Sequence, residues 1–266
     1  CAAAPYRLSN FDGYPDLTEI KSDAHVIGIK PILGCGNVTV MTRAFVERLN
    51  CDRSGNRVSQ VVVQRDGERL VFGAETVILA CGAINSAAVL LRSASHNHPN
   101  GLANSSDQVG RNYMTHQNGC FIAACETPNP SQFQKYFGIT DFYRGADDSP
   151  LPLGTIQLMG KPDRGTLEWL RGDQLPNVPI EDIIPRTIDF FLTAEDLPNP
   201  NNRITLRPDA AIRVNYTPNN TEAYDRLQER LIRIMTQVER SRGRGEPAFL
   251  ASRLGISGVS HQNGTL

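Results

Sequence analysis

Alternating apolar and polar residues in the first half of this chain predict a series of short β-strands. Val38, Val40 and Thr42 lie at alternate positions, and the same parity continues through residues 44–48. A valine-rich segment over residues 58–64 is joined to residues 69–72 by an Asp-Gly dipeptide, which is a strong hairpin signal. The pattern therefore predicts a β-meander that begins near residue 37 and ends near residue 72.

A continuous apolar run from Val77 to Ala80 follows the meander. Such a run is typical of a parallel strand that is covered on both faces. The run breaks at Gly82, and a helix is predicted over residues 87–92. A strand, a turn and a helix in this order can present backbone N–H groups to a phosphate or a ribose. A plain strand–helix connection explains the same residues equally well at this point.

The rest of the chain has a different residue pattern, which predicts isolated strands and one long helix. Residues 1–36 are mostly loop, with a short helix over 24–33, and residues 126–150 and 241–260 are predicted to be irregular. A helix of about five turns is expected after Asn219 or Asn220, because apolar residues recur there on one face. Strands are predicted over residues 120–125, 155–159, 187–193, 203–206 and 212–215.

Composition narrows the possible functions mainly by exclusion. The chain has 27 basic and 28 acidic residues and a net charge of −1, so nucleic acid is not an expected partner. No apolar run approaches the roughly 20 residues of a membrane-spanning helix, and no transmembrane segment is predicted. The six cysteines are irregularly spaced and are expected to be free thiols, and no metal site is predicted. Neither a Gly-x-Ser-x-Gly sequence nor a P-loop is present. The compartment is left open.

Four segments, taken in order, resemble the glucose–methanol–choline (GMC) family of flavin oxidoreductases. The first is residues 37–49, and the second is residues 77–93, which include the sequence from Val77 to Ser86. The third is residues 109–116, which begin Val-Gly-Arg-Asn-Tyr-Met. The fourth, from His261 to Thr265, resembles the family's His-x-x-Gly-Thr element. The matching segments together span residues 37–266.

The resemblance implies an α/β plus α+β fold and an FAD cofactor. Residues 1–118 would be a partial, Rossmann-like FAD-binding domain with the meander, the parallel strand and the helix. Residues 119–256 would form a mostly antiparallel substrate-binding domain, and residues 257–266 would return to the FAD domain and the active site. The family's Gly-x-Gly-x-x-Gly segment is absent, and so is the family segment after the Gly-Thr element. We therefore expect an internal fragment of a larger enzyme, inactive by itself.

The resemblance also assigns roles to individual residues. His261 would be the general base, for which imidazole is suited by an unperturbed pKa of about 6.5; a solvated loop histidine is the alternative. Cofactor contacts are expected from the turn Ala80, Cys81, Gly82 and Ala83, from Ser86 as a helix cap, from Asn112 at a bend, and from Phe45 and Val46, whose backbone would meet the adenine edge. Cys81 is expected to be buried. The alternative for Phe45 and Val46 is an ordinary meander strand.

These assignments give one leading hypothesis and two alternatives. The leading hypothesis is an FAD-dependent oxidoreductase that acts on an alcohol or sugar hydroxyl and passes electrons to oxygen, a quinone or an acceptor protein. The second is a non-catalytic α+β module that uses the antiparallel sheet for binding or assembly. The third is an NAD-linked reductase. The absence of a Gly-x-Gly-x-x-Gly segment counts against this alternative as much as against an FAD enzyme.

Overall fold

The protein, seen in a computed structural model, divides into two compact units. The structure describes residues 19, 22–131, 135–145, 148–149, 151–171, 179–258 and 261–266. Unit 1 comprises residues 1–32, 116–195 and 220–259, and unit 2 comprises residues 33–115, 196–219 and 260–266. The sequence predicted one domain over residues 119–256, whereas contacts group residues 196–219 with unit 2. The compactness of a unit does not show its function, so the functional assignment of each unit is a proposal.

The described residues form ten strands and five α-helices. The strands are β1 Ala44–Cys51, β2 Val58–Arg65, β3 Glu68–Phe72, β4 His116–Ala124, β5 Gly138–Ile139, β6 Thr155–Leu158, β7 Thr187–Glu195, β8 Arg203–Leu206, β9 Ile212–Asn215 and β10 Ala248–Arg253. The helices are α1 Lys30–Ile32, which continues a π-helical turn at His25–Ile29, then α2 Gly82–Arg92, α3 Arg164–Arg171, α4 Ile180–Ile183 and α5 Thr221–Ser241. Short 3-10 turns occupy Ile184–Arg186 and Ile256–Gly258.

The predicted meander is present in unit 2 as a three-stranded antiparallel sheet in the order β1-β2-β3. Asp66 and Gly67 form the hairpin turn with φ values of 50° and 86°, which glycine adopts without steric cost. The sheet begins later than predicted, because Arg43 has a φ of 54° and interrupts the extended backbone that the alternation at residues 38–42 had indicated. Strand β1 therefore starts at Ala44.

The predicted parallel strand over residues 77–80 is wrong for this structure. These residues belong to no strand, and the side chain of Ile78 is 84% exposed. All ten strands in the described part of the chain pair in antiparallel fashion. A parallel strand requires a neighbour for its hydrogen bonds, and an apolar run predicts burial only where such a neighbour exists. The helix that follows starts at Gly82, five residues earlier than predicted.

Unit 1 is built on a five-stranded antiparallel sheet in the order β10-β4-β7-β6-β5. One face packs against α5, whose Tyr224, Leu227 and Leu231 are fully buried with Phe121 and Leu192. The other face is covered by α3 and α4, which contribute leucine and isoleucine side chains. Alternate residues of β4 and β7 therefore serve two separate apolar layers, as strand geometry requires.

Strand β10 and helix α3 were missed by the sequence pattern. Residues 248–253 were expected to be irregular, yet they pair with residues 119–124 along the whole strand. Phe249 packs on the α5 side and Leu250 on the α3 side. A segment this short is a strand because it pairs with β4, and its own β-propensity does not predict that pairing.

Unit 2 closes around a smaller core. Helix α2 packs against β1 and β8, and its Ala87 is buried with Val109, Tyr113 and Ile204. The hairpin β8-β9 has the strand bounds predicted from the sequence. No helix among the described residues is long and apolar enough to cross a membrane. Cysteines 35, 51, 81, 120 and 125 are free thiols.

Candidate functional site

The turn that opens α2 is held by a side chain from inside the helix. Gly82 has a φ of 72°, a conformation that favours glycine, and the space around its missing Cβ is open to 4 Å within the protein. The Cys81 N–H donates to the Ser86 hydroxyl at 3.1 Å, and Ser86 itself is buried. Ser86 thus fixes the turn from within the first helical turns, and it is not the cap of a helix starting at residue 87.

The C-terminal segment is attached directly to this turn. The Thr265 hydroxyl donates to the Ala83 carbonyl at 2.7 Å, and the Thr265 side chain is buried. The Gly110 N–H donates to the Thr265 carbonyl at 2.8 Å. One threonine therefore joins three segments that are far apart in sequence. The resemblance implied a tight backbone turn at Gly264 and Thr265, as part of the His-x-x-Gly-Thr element, but it did not indicate the hydrogen bond of the Thr265 hydroxyl.

A second contact brings Asn112 against Gly264. Asn112 has a φ of 56° and Gly264 a φ of 84°. A Cβ added to Gly264 would lie 2.0 Å from the Asn112 carbonyl oxygen, so only glycine allows this approach. Beside them, Met114 and Asn263 exchange two backbone hydrogen bonds of 3.1 Å in an antiparallel bridge. Asn112 is at a bend, and the bend faces the C-terminal segment.

The loop before Met114 is fixed by charge and by ring packing. Arg111 forms an ion pair with Asp107, which lowers the pKa of the exposed Asp107 carboxyl through a hydrogen bond. Tyr113 is fully buried and meets the Tyr216 ring edge-on at 5.7 Å, and burial raises the pKa of its phenol. The Thr115 N–H donates to the Asp196 carboxylate at 3.2 Å. The loop that carries Asn112 is therefore anchored on both sides.

Exposure differs between the residues of this site. His261 is exposed and lies four residues before the buried Thr265. Ala80, Cys81 and Gly82 are exposed, so the expected burial of Cys81 is wrong; the tight turn leaves its side chain outside the core that begins at Ser86. The backbone at the start of α2 is consequently accessible, and helix N-termini favour negatively charged groups.

Phe45 and Val46 do not belong to this set of contacts. The Phe45 ring is 52% exposed and lies 5.3 Å from the Arg92 guanidinium, at the C-terminal end of α2. An 11-residue helix is about 16 Å long, and Ala83 lies at its other end. Val46 pairs with Val63, next to a bulge in β1. The structure therefore brings together residues 81–86, 110–114 and 263–265, and it ties Phe45 to a different part of α2.

Comparison with known proteins shows what this chain is similar to. A family model described as GMC oxidoreductase matches residues 9–118. The chain is also 26% identical over 259 residues to paromamine 6'-oxidase of Streptomyces fradiae, covering 92% of this chain. The chain is thus similar to GMC oxidoreductases, and the matches support an oxidoreductase of that family. The resemblance stated from the four sequence segments is confirmed, and so is the mixed α/β fold class with its antiparallel sheets.

Two further relatives define how much of a GMC protein this chain represents. The fructose dehydrogenase large subunit of Gluconobacter japonicus is 31% identical over 180 residues, which are 64% of this chain and 32% of that protein. A formate oxidase structure from Aspergillus oryzae superposes with a TM-score of 0.55 at 15% identity, covering 84% of this chain and 47% of that chain; it supports the fold alone. The chain spans 43% of paromamine 6'-oxidase, so it covers less than half the length of these GMC relatives.

Proposed function

We propose that unit 2 forms part of the flavin site of an FAD-dependent oxidoreductase that acts on alcohol or sugar hydroxyl groups. The observation that carries this proposal is the junction made by Thr265, which joins the turn at Ala83 to the loop at Gly110. The three joined segments are three of the four whose sequences resemble the GMC family; the remaining one belongs to the meander. The names of the relatives, a paromamine 6'-oxidase and a fructose dehydrogenase, support sugar-like substrates.

The residues present fit a part of FAD. The turn at Cys81 and Gly82 is exposed at the N-terminus of α2 and has open space around Gly82, which suits a polar or anionic portion of the cofactor. Asn112 and Gly264 would form the opposite wall. The chain has no Gly-x-Gly-x-x-Gly loop, so these residues would not hold the pyrophosphate in the usual way of a dinucleotide fold. Bound FAD would supply two-electron oxidation.

His261 is proposed to take the proton of the substrate hydroxyl on an imidazole nitrogen. Its exposure keeps it accessible to a substrate, and its position four residues before Thr265 keeps it near the junction. A positioned general base contributes on the order of 10²- to 10⁴-fold to a rate. Thr265 would act by positioning, because its two hydrogen bonds hold the segment that carries His261. The electrons would pass to oxygen, a quinone or an acceptor protein.

The test of His261 uses the protein that contains this chain, loaded with FAD. His261→Asn is compared with His25→Asn, which changes another exposed histidine in unit 1. We expect His261→Asn to retain bound flavin and to lose at least 100-fold in kcat on alcohol and sugar substrates, as removal of a general base predicts. His25→Asn should leave flavin content and kcat unchanged. Equal activity in both variants would remove His261 from the mechanism.

The alternative, a non-catalytic α+β module, is favoured by the missing glycine loop. It makes a separate prediction for the same preparation, because such a module would take up no flavin even when all flanking sequence is present. Flavin uptake by the unaltered protein without oxidation of alcohols or sugars would count against the proposed activity, whereas no uptake would count against the flavin site itself.

A further inference from the structure

A cavity in unit 2 lies at the opposite end of α2 from the Gly82 turn. Its volume is about 280 Å³, and it is formed by the end of β1, the turn between β1 and β2, and the segment that follows α2. Most of its lining residues are polar, and the side chains used in the argument are Arg48, Asn50, Asp52, Arg53, His96 and Asn97. Because α2 separates the two ends by about 16 Å, this cavity is distinct from the proposed flavin site.

The walls of the cavity are fixed by hydrogen bonds between its three segments. The buried Ser93 hydroxyl accepts from the Leu49 N–H at 2.8 Å and donates to the Val89 carbonyl at 2.6 Å. The Asn97 amide donates to the Arg53 carbonyl at 3.3 Å. These bonds hold the strand end and the two loops in one arrangement, so a ligand would meet a preformed site.

Arg48 lines the cavity with a guanidinium group that the protein holds in place. Its Nη2 donates to the Ala94 carbonyl at 3.1 Å, which orients the guanidinium plane. Its Nε is shielded from solvent, so an anion in the cavity would use the other N–H groups of the guanidinium.

The charges around the cavity favour an anion. Arg48 and Arg53 contribute two permanent positive charges. The Asp52 carboxylate is the opposing charge, but it accepts from the Ser54 hydroxyl at 2.7 Å and from backbone N–H groups of its own turn, which lower its pKa. The Asp52 carboxylate is therefore hydrogen-bonded within its own turn. The side chains of Asn50 and Asn97 add neutral polar groups to the lining.

We propose that this cavity binds a small oxyanion, a carboxylate or phosphate group, through the guanidinium groups of Arg48 and Arg53. A planar guanidinium presents paired N–H groups that match the oxygens of either anion. The volume suits an inorganic anion or a small organic acid and is too small for a dinucleotide, since ligand pockets for larger molecules begin near 300 Å³. The proposal does not depend on the flavin site.

The test is titration calorimetry of the protein that contains this chain with inorganic phosphate and, separately, with acetate. Arg48→Gln and Arg53→Gln are compared with Arg57→Gln, which removes an exposed arginine of the same turn that does not line the cavity. We expect a loss of affinity of about 10- to 100-fold for the first two variants, as removal of a charge-assisted hydrogen bond predicts, and none for Arg57→Gln. Binding of phosphate alone or of acetate alone would identify the source of the oxyanion.

Three results would overturn the proposal. One is no heat of binding for either anion at millimolar concentration, and another is an equal loss of affinity in Arg57→Gln. The third is displacement of phosphate by FAD, which would place the anion at the proposed flavin site. Circular dichroism checks the fold of each variant; if Arg48→Gln does not fold, the exposed Arg53→Gln decides the outcome.

Discussion

Asp189 provides the sharpest test of how unit 1 is built, because it is a carboxyl group inside an apolar layer. It lies on β7, is 4% exposed, and belongs to the sheet face that packs against α3 and α4. Burial raises its pKa to about 7; a hydrogen bond from the Thr187 hydroxyl at 2.9 Å and the charge of Lys161 oppose that rise. One carboxylate oxygen has no hydrogen-bond partner within the described residues. A neutral Asp189 is therefore favoured in the folded protein below about pH 7.

The pH dependence of stability follows from this shift. The folded pKa of about 7 lies above the ordinary aspartate value of 3.8, so the folded state binds more protons than the unfolded state between these two pH values. The free energy of unfolding should consequently fall as pH rises from about 4 to about 7. Three pKa units correspond to on the order of 4 kcal/mol. Asp189→Asn imitates the neutral carboxyl and should remove this slope.

The assay is urea unfolding followed by circular dichroism between pH 4 and pH 8. We expect Asp189→Asn to match the unaltered protein near pH 4 and to be more stable than it by on the order of 4 kcal/mol at pH 8. Asp141→Asn, at an exposed position of unit 1, should remain within about 0.5 kcal/mol at every pH. Destabilisation by Asp189→Asn at pH 8 would refute the reasoning, because it would mean that the carboxylate is ionised and stabilised by Lys161.

Three further substitutions test the packing at other points. Leu227→Ala removes a fully buried side chain beneath the sheet and should lower the free energy of unfolding by about 2–5 kcal/mol in denaturant titrations. Gly264→Ala should cost clearly more than Gly67→Ala, because both glycines have positive φ but only the Cβ added at Gly264 would lie 2.0 Å from a carbonyl oxygen; equal midpoints of unfolding would contradict this close approach. Ser93→Ala leaves the buried Leu49 N–H without its acceptor and should cost about 1–3 kcal/mol, and a change below about 0.5 kcal/mol would contradict the bond.

The fold was predictable where local signals were strong. The Asp66-Gly67 turn has one low-energy solution, and it correctly located the β2-β3 hairpin. The apolar stripe of residues 224–235 correctly gave α5, because a long helix needs only its own periodicity to be recognised. Strand β10 failed as a prediction because its conformation depends on pairing with β4. The apolar run at residues 77–80 failed because burial on both faces depends on neighbours in space.

The candidate site was predictable as a set of motifs and not as a set of contacts. Gly82, Asn112 and His261 were named from the four segments that resemble GMC proteins. Nothing in the sequence indicates that the Thr265 hydroxyl reaches Ala83, since the two residues are separated by 182 positions. The Ser86 hydroxyl was expected to cap a helix, but a bond to the Cys81 N–H requires knowledge of where the helix begins.

The most direct test of the flavin proposal is hydrogen exchange of the protein that contains this chain, measured with and without FAD. If residues 81–86, 110–114 and 261–265 surround part of the cofactor, FAD should slow amide exchange in these three segments and leave α3 of unit 1 unchanged. Failure to bind FAD, or protection confined to segments other than these three, would contradict the account.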